Sequence, residues 1–144
     1  MMLYTHILAG VFVFTIVSEI ISPSANPGFI SLAFMISIIA AIAPDFDMIF
    51  ELVPRKLRIV KHRGITHTLL ALIASSAIIT TYNKLLAIYY SLSYGSHLLL
   101  DGATKSGIKP LYPFKYKLKG PITTGGLSEI PVAAILIISV WILT

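Results

Sequence analysis

The sequence predicts an all-α, polytopic membrane bundle with about five transmembrane helices, forming a single domain over residues 1–144. Three observations lead there. Hydrophobic residues fill 56% of the 144 positions and charged residues only 12%, about half the charged share of an average soluble domain, and the mean hydropathy is +0.88. The apolar residues fall into five continuous runs, at residues 3–21, 29–43, 66–81, 85–100 and 130–143. The basic residues are gathered into two of the connections between these runs.

Backbone groups in lipid must find partners within the chain, so a span is a helix or part of a closed barrel. None of the five runs alternates with a period of two, and helices are therefore predicted. A full span takes about 20 residues, with a lower limit near 17. The second, third and fifth runs are shorter, so their helices would extend into flanking polar residues or thin the bilayer. A soluble helical bundle would need charged outer helix faces, which are missing here. The N-terminal Met1-Met2-Leu3-Tyr4 has no cationic region and the first run no clear small-residue cleavage site, so that run reads as a retained span. The second is entered through a connection holding Pro23 and Pro27 and no charge, and Pro44 ends it. Residues 82–84 make a tight turn into the fourth.

The two long connections, 44–65 and 101–129, carry Arg55, Lys56, Arg58, Lys61 and Arg63, and Lys105, Lys109, Lys115, Lys117 and Lys119. With five spans, both lie on the same side as the N-terminus, and that side holds ten of the eleven basic residues. The positive-inside rule makes it cytoplasmic, with the N-terminus in and the C-terminus out, in a multi-pass protein of the cytoplasmic membrane. The net charge of +5 is then an affinity for anionic lipid headgroups and not for nucleic acid. Tyrosines 82, 89, 90, 94, 112 and 116, with Trp141, suit interfacial anchors. Lys115, Lys117 and Lys119 alternate with Tyr116 and Leu118, as a segment lying along the headgroups or a plain solvated loop would.

The histidines and aspartates share one property. His6 opens the first run, Asp45 and Asp47 close the second, His62 and His67 lead into the third, and His97 and Asp101 close the fourth. In an up-and-down bundle those ends meet on one side. Each piece alone has an ordinary structural reading. His97 and Asp101, four apart, share a helix face and could be a plain hydrogen-bonded pair. Asp45 and Asp47 could be a polar helix stop, although carboxylates so close repel unless a cation compensates. His62 and Arg63 could belong to a basic loop. Gly64 permits close approach of the backbone, Thr66 could cap the third helix, and Arg63 has the fork that suits phosphate oxygens. His6 could bond a neighbouring helix, yet ionisable groups within spans usually mark function. Together the seven favour a metal site, and the absence of cysteine restricts its ligands to nitrogen and oxygen. Glu19 lies at the opposite end. Glu51 and Glu129 lie on the site's side and read as solvated surface charges.

At His6, Pro44-Asp45-Phe46-Asp47, His62-Arg63-Gly64-Ile65-Thr66-His67-Thr68 and His97-Leu-Leu-Leu-Asp101, continuing through Gly102, Thr104 and Gly107 to Pro113, the chain resembles the YdjM-like family of membrane-bound, metal-dependent hydrolases. The resemblance covers nearly the whole chain and implies a small helical membrane hydrolase. The order of these motifs is also distantly similar to the all-helical zinc-dependent phospholipases C, which cleave phosphodiesters. The second His-x-x-x-Glu that completes their cluster is missing here, so one or two ions are expected instead of three.

The expected activity is therefore hydrolysis of a phosphoester, in a phospholipid or lipid-linked phosphate, at the cytoplasmic face. Membrane lipids and that substrate are the expected partners. Zinc is the first expectation for a mixed His/Asp set, with manganese or iron as alternatives. His6, Asp45, His67, His97 and Asp101 are the expected ligands. Asp47 and His62 would serve as second-site ligands or acid/base groups, and Arg63 would hold phosphate. A metal or ion transporter would place its ligands near the bilayer midplane. A non-enzymatic protein would use the ion only to tie helices together. Nothing in the sequence sets an oligomeric state.

Overall fold

The computed structural model describes residues 1–52 and 64–144, with side chains over 1–47 and 64–144. Five α-helices account for most of the described residues: α1 (Leu3–Ile21), α2 (Pro27–Ile42), α3 (Leu69–Tyr82), α4 (Lys84–Gly102) and α5 (Ile130–Leu143). Short 3-10 segments at Ala43–Leu52, Ile65–His67 and Leu127–Glu129 connect them. No strand occurs among the described residues, only two isolated bridges, Thr104 with Ile122 and Ile108 with Leu118.

Local chemistry sets the helix ends. Pro27 occupies the first turn of α2, where its missing N–H costs nothing, and the Asn26 side chain accepts from Phe29 N at 2.8 Å. Asn83 closes α3 and opens α4 in one residue, its side chain accepting from Leu85 N and Leu86 N. Thr68, and not Thr66, caps α3, accepting from Ala71 N at 3.1 Å. Pro44 does end the α-helical geometry of α2, but the chain runs on as a 3-10 turn that carries Asp45 and Asp47.

α4 packs against α1, α2 and α3, and α1 also packs against α2 and α5. α2 buries small residues, with Ala33, Ser37, Ala40 and Ala41 fully buried, and against α1 a Cβ on Gly10 would lie 2.8 Å from the Ala41 Cβ and 3.0 Å from the Ser37 carbonyl. Such residues let helix backbones approach closely. Two apolar clusters fill the interior. One centres on Val17, Ala33, Leu86 and Tyr89, and the other on Ala40, Tyr94, Leu98 and Ile108.

The outside is apolar as well. α3 and α5 bury no residue within this chain, and Leu70, Ile73, Ile78, Ile135, Trp141 and Ile142 are all more than 60% exposed. Exposed apolar surface this continuous calls for a hydrophobic surrounding. Among the described residues, two helical stretches are long and apolar enough to cross a membrane: Leu3–Ile21, and Pro27–Asp47, which adds the 3-10 turn to α2. Leu69–Tyr82 and Leu127–Leu143 are apolar but shorter. The sequence expectation of five spans thus meets five helices among the described residues, of which two, α2 with its 3-10 turn included, are both long and apolar enough to cross. The tyrosines also divide. Tyr82 and Trp141 are exposed, whereas Tyr89 and Tyr94 are buried core residues and not interfacial anchors. The Tyr89 hydroxyl bonds to Ser18 and Ser22, and that of Tyr94 donates to the Thr66 carbonyl at 2.5 Å.

Candidate metal centre

The alternation of helix directions brings the start of α1, the 3-10 turn after α2, the turn before α3 and the end of α4 to one end of the bundle. There Asp45, His67, His97 and Asp101 each offer a donor atom, and these atoms all lie within 4.8 Å of one another. His67, His97 and Asp101 are fully buried, while Asp45 is 19% exposed and forms the rim.

The two imidazoles are oriented from behind. Ala41 is among the last four residues of α2, whose carbonyls lack helical partners, and its carbonyl lies 2.6 Å from His97 Nδ1. A carbonyl only accepts, so Nδ1 carries the proton and Nε2 faces the site. His67 is held in the same sense. Its Nδ1 lies 3.1 Å from Thr66 Oγ1, which itself donates to Asp47 Oδ2 at 2.8 Å. A ring nitrogen tied to a carbonyl or a carboxylate, with the other aimed at an ion, is the arrangement of metal-ligating histidines.

The facing donors have the spacing of a coordination shell. His97 Nε2 and His67 Nε2 are 3.3 Å apart. Asp45 Oδ1 lies 3.4 Å from His67 Nε2 and 3.5 Å from His97 Nε2, and Asp101 Oδ2 lies 3.5 Å from His67 Nε2. A tetrahedral ion with ligand bonds of about 2.0–2.1 Å has donor–donor edges of about 3.3–3.4 Å. Four of the six edges are therefore close to the length an ion would set. Charge points the same way, because carboxylates crowded at a buried site need a compensating cation. Burial disfavours the His67 cation, but its contacts with Asp101 and Asp45 and the field of Asp47 outweigh burial and raise its pKa above the ordinary imidazole value. The residues present thus fit a divalent cation with nitrogen and oxygen ligands.

The other residues singled out in the sequence take varied places. His6 is fully buried, stacks on His97 with ring centroids 3.7 Å apart, and sets Nε2 3.4 Å from Asp101 Oδ1. Neither of its ring nitrogens has a hydrogen-bond partner among the described residues. The amino group of Met1 also contacts Asp101 Oδ1. Asp47 is not one of the four converging groups; its carboxylate is 3.6 Å from the far nitrogen of His67. His62 and Arg63 lie outside the described residues, as does the side chain of Glu51.

Glu129 corrects an expectation. It is no solvated charge but fully buried, and it accepts from Thr5 Oγ1 at 2.5 Å, Met2 N at 2.8 Å and Gly125 N at 2.7 Å. It clamps the start of α5 to the first turn of α1, next to His6. Tyr94 was likewise missed as a support: its bond to the Thr66 carbonyl fixes the turn that carries His67. The i, i+3 relation of Tyr94 to His97 was the one sequence signal that could have pointed to it.

Residues 1–143 match the family model described as YdjM inner membrane protein. No curated protein and no solved structure matches the chain.

Proposed function

We propose that this chain, which belongs to the YdjM inner membrane protein family, is a multi-pass, metal-dependent hydrolase acting on a phosphoester at the cytoplasmic surface of the membrane. The observation that carries the reading is the convergence of four donors from three separate chain segments within 4.8 Å of one another, four of their six edges at 3.3–3.5 Å, with both histidines oriented through their far nitrogens. In this reading Asp45, His67, His97 and Asp101 hold the ion, and zinc is the first choice for such a set. When bound, a divalent ion polarises a phosphoryl oxygen and makes water a competent nucleophile near neutral pH.

The chain's own residues define the rest. Ala41 and the Thr66–Asp47 pair hold the two imidazoles in register. Four protein donors would make a closed shell, and Asp45, 19% exposed at the rim, is the one that would have to give way to leave the open position a catalytic ion needs. His6, stacked on His97 and beside Asp101, stands ready as a ligand to a second ion or as a proton carrier. His62 and Arg63 keep the acid/base and phosphate-holding roles expected from the sequence. The donors sit where apolar helices begin and end, so a phospholipid or lipid-linked phosphate is the substrate class that reaches them. That position argues against a transport site, which lies near mid-membrane.

The test is elemental analysis of the purified protein, followed by a phosphoester and phospholipid hydrolysis screen with and without chelator. Bound divalent metal and chelator-sensitive turnover are expected. Metal without turnover on any phosphoester would favour a structural ion, and turnover surviving complete metal removal would end the proposal.

A further inference from the structure

We propose that residues 109–117 form an arm that lies on the anionic headgroup layer of the bilayer beside the metal centre, its aromatic side chains in the interface and its lysines on lipid phosphates. The inference depends on the membrane setting of the chain and not on the hydrolase reading.

The arm is rigidly rooted. Ile108 and Leu118 exchange both backbone hydrogen bonds at 2.9 Å. Lys105 N donates to Ile122 O at 2.8 Å, Gly120 N to Thr104 O at 3.0 Å and Ile122 N to Ala103 O at 3.1 Å. The ribbon so formed leaves directly from the end of α4. Gly107 permits it, with φ at +61° and the Leu118 carbonyl only 2.2 Å from where a Cβ would sit. The height of the arm is also set. The Pro110 carbonyl accepts from Leu69 N at 2.9 Å, and Leu69 is the first residue of α3, where the lipid-facing exterior of that helix begins. The arm therefore emerges at the membrane boundary.

What projects from this root is unsuited to water. Phe114 is 73% exposed and Tyr116 59%, with Leu111 and Tyr112 close to half exposed. The described chain leaves most of Phe114 and Tyr116 and about half of Leu111 and Tyr112 uncovered. Lys109, Lys115 and Lys117 are exposed among them, and no acidic residue occurs between Asp101 and Glu129. Aromatic rings favour the membrane–water interface, and lysines bury their stems while the ammonium reaches phosphate. Apolar side chains interleaved with cations of one sign, held at the start of a lipid-facing helix, match an anionic bilayer surface better than a protein partner.

The chain has no cysteine, so Phe114→Cys accepts a single environment-sensitive fluorophore. The labelled full-length protein is placed in lipid nanodiscs of mixed phosphatidylglycerol and phosphatidylcholine. The expected result is blue-shifted emission, quenching by lipids carrying a nitroxide near the headgroup, and resistance to aqueous iodide. Replacing phosphatidylglycerol, or changing Lys109, Lys115 and Lys117 together to Gln, should shift the emission red and restore iodide access. Tyr116→Cys, labelled in the same way, gives an independent reading. Iodide quenching at both positions in the mixed lipid would overturn the proposal. Shielding from both quenchers that disappears at one protein per disc would assign the surface to a second copy instead, and embedding indifferent to lipid charge would remove the anionic partner.

Discussion

The proposed centre turns on which nitrogen of each histidine is committed. Because the Ala41 carbonyl accepts a hydrogen bond from His97 Nδ1, Nε2 is the atom left for an ion, and His97→Ala removes both a donor and one wall of the site. That variant should lose the metal, measured as stoichiometry by elemental analysis. Asp47→Asn should behave differently. It weakens the support behind His67 and leaves the four converging donors in place, so metal should still bind, with affinity reduced by about 10- to 100-fold, the usual cost of losing an outer partner. Equal losses in both variants would mean that Asp47 is itself a ligand. Acidity gives a second readout. The pKa of His67 is raised by its carboxylate neighbours, so the metal-free imidazole holds its proton to higher pH than a free one, and an ion must displace that proton. Metal affinity should therefore rise with pH through the ordinary imidazole range and beyond it, by up to about tenfold per unit for one displaced proton, and calorimetry across that range measures the slope. Much of this site was legible in the sequence, since His97 and Asp101 share a helix face and the motifs fall at matching ends of the runs. The role of Thr66 was not. A threonine just before a helix reads as a cap, and only the fold shows that Thr68 takes that place while Thr66 bonds Asp47.

Helix boundaries followed from the apolar runs: the first and fifth helices coincide with their runs although neither start has a side-chain cap, and Asn83 makes the turn between α3 and α4 by itself. Helix packing was less readable, because small residues signal close approach only once the partner is known. Gly10 illustrates the balance. Alanine is a better helix former by about 1 kcal/mol, but its Cβ would meet the Ala41 Cβ at 2.8 Å and the Ser37 carbonyl at 3.0 Å, and overpacking costs about 1–3 kcal/mol. The second effect should win, so Gly10→Ala should unfold at lower temperature in detergent. Glu129 tests a contact between elements that the sequence did not reveal, since a charge at the start of an apolar run ordinarily faces solvent. Glu129→Ala would strand three donors from α1 and the 123–126 turn. At about 1–3 kcal/mol for each buried donor left without a partner, eased by water where the site is open, the loss should be about 3 kcal/mol. Glu129→Gln keeps an acceptor oxygen and should lose less. Metal stoichiometry should stay unchanged in both variants, because Glu129 acts through α1 and α5 and is not one of the converging donors.

The chain as a whole has an asymmetry that neither a site nor a helix alone explains. The buried acids and imidazoles gather at the end where α1, α3 and α5 begin, and the same end carries residues 103–126 with five lysines. Among the described residues, the opposite end carries only Glu19 and Lys84 as charged side chains, with Ser18 and Ser22 each bonded to Tyr89 and Asn26 and Asn83 as caps. A chain held by charge in this way should insert with the basic end in the cytoplasm, since moving lysines across a bilayer costs far more than moving serines and asparagines. α3 and α5 are short, and α4 has the length of α1 without its hydropathy, so the number of crossings is the quantity to measure. The absence of cysteine makes single substitutions readable against a blank background. With five crossings, Lys117→Cys should resist a membrane-impermeant thiol reagent applied to intact cells and react only after permeabilisation. Ser24→Cys, between α1 and α2, and Thr144→Cys, beyond α5, should react from outside. If Thr144→Cys and Lys117→Cys were protected together while Ser24→Cys reacted, α5 would not cross, and the short apolar helix would lie against the bundle or in the interface. Such a result would leave the metal centre intact, because none of its four donors comes from α5, but it would place the C-terminus on the same side as the centre.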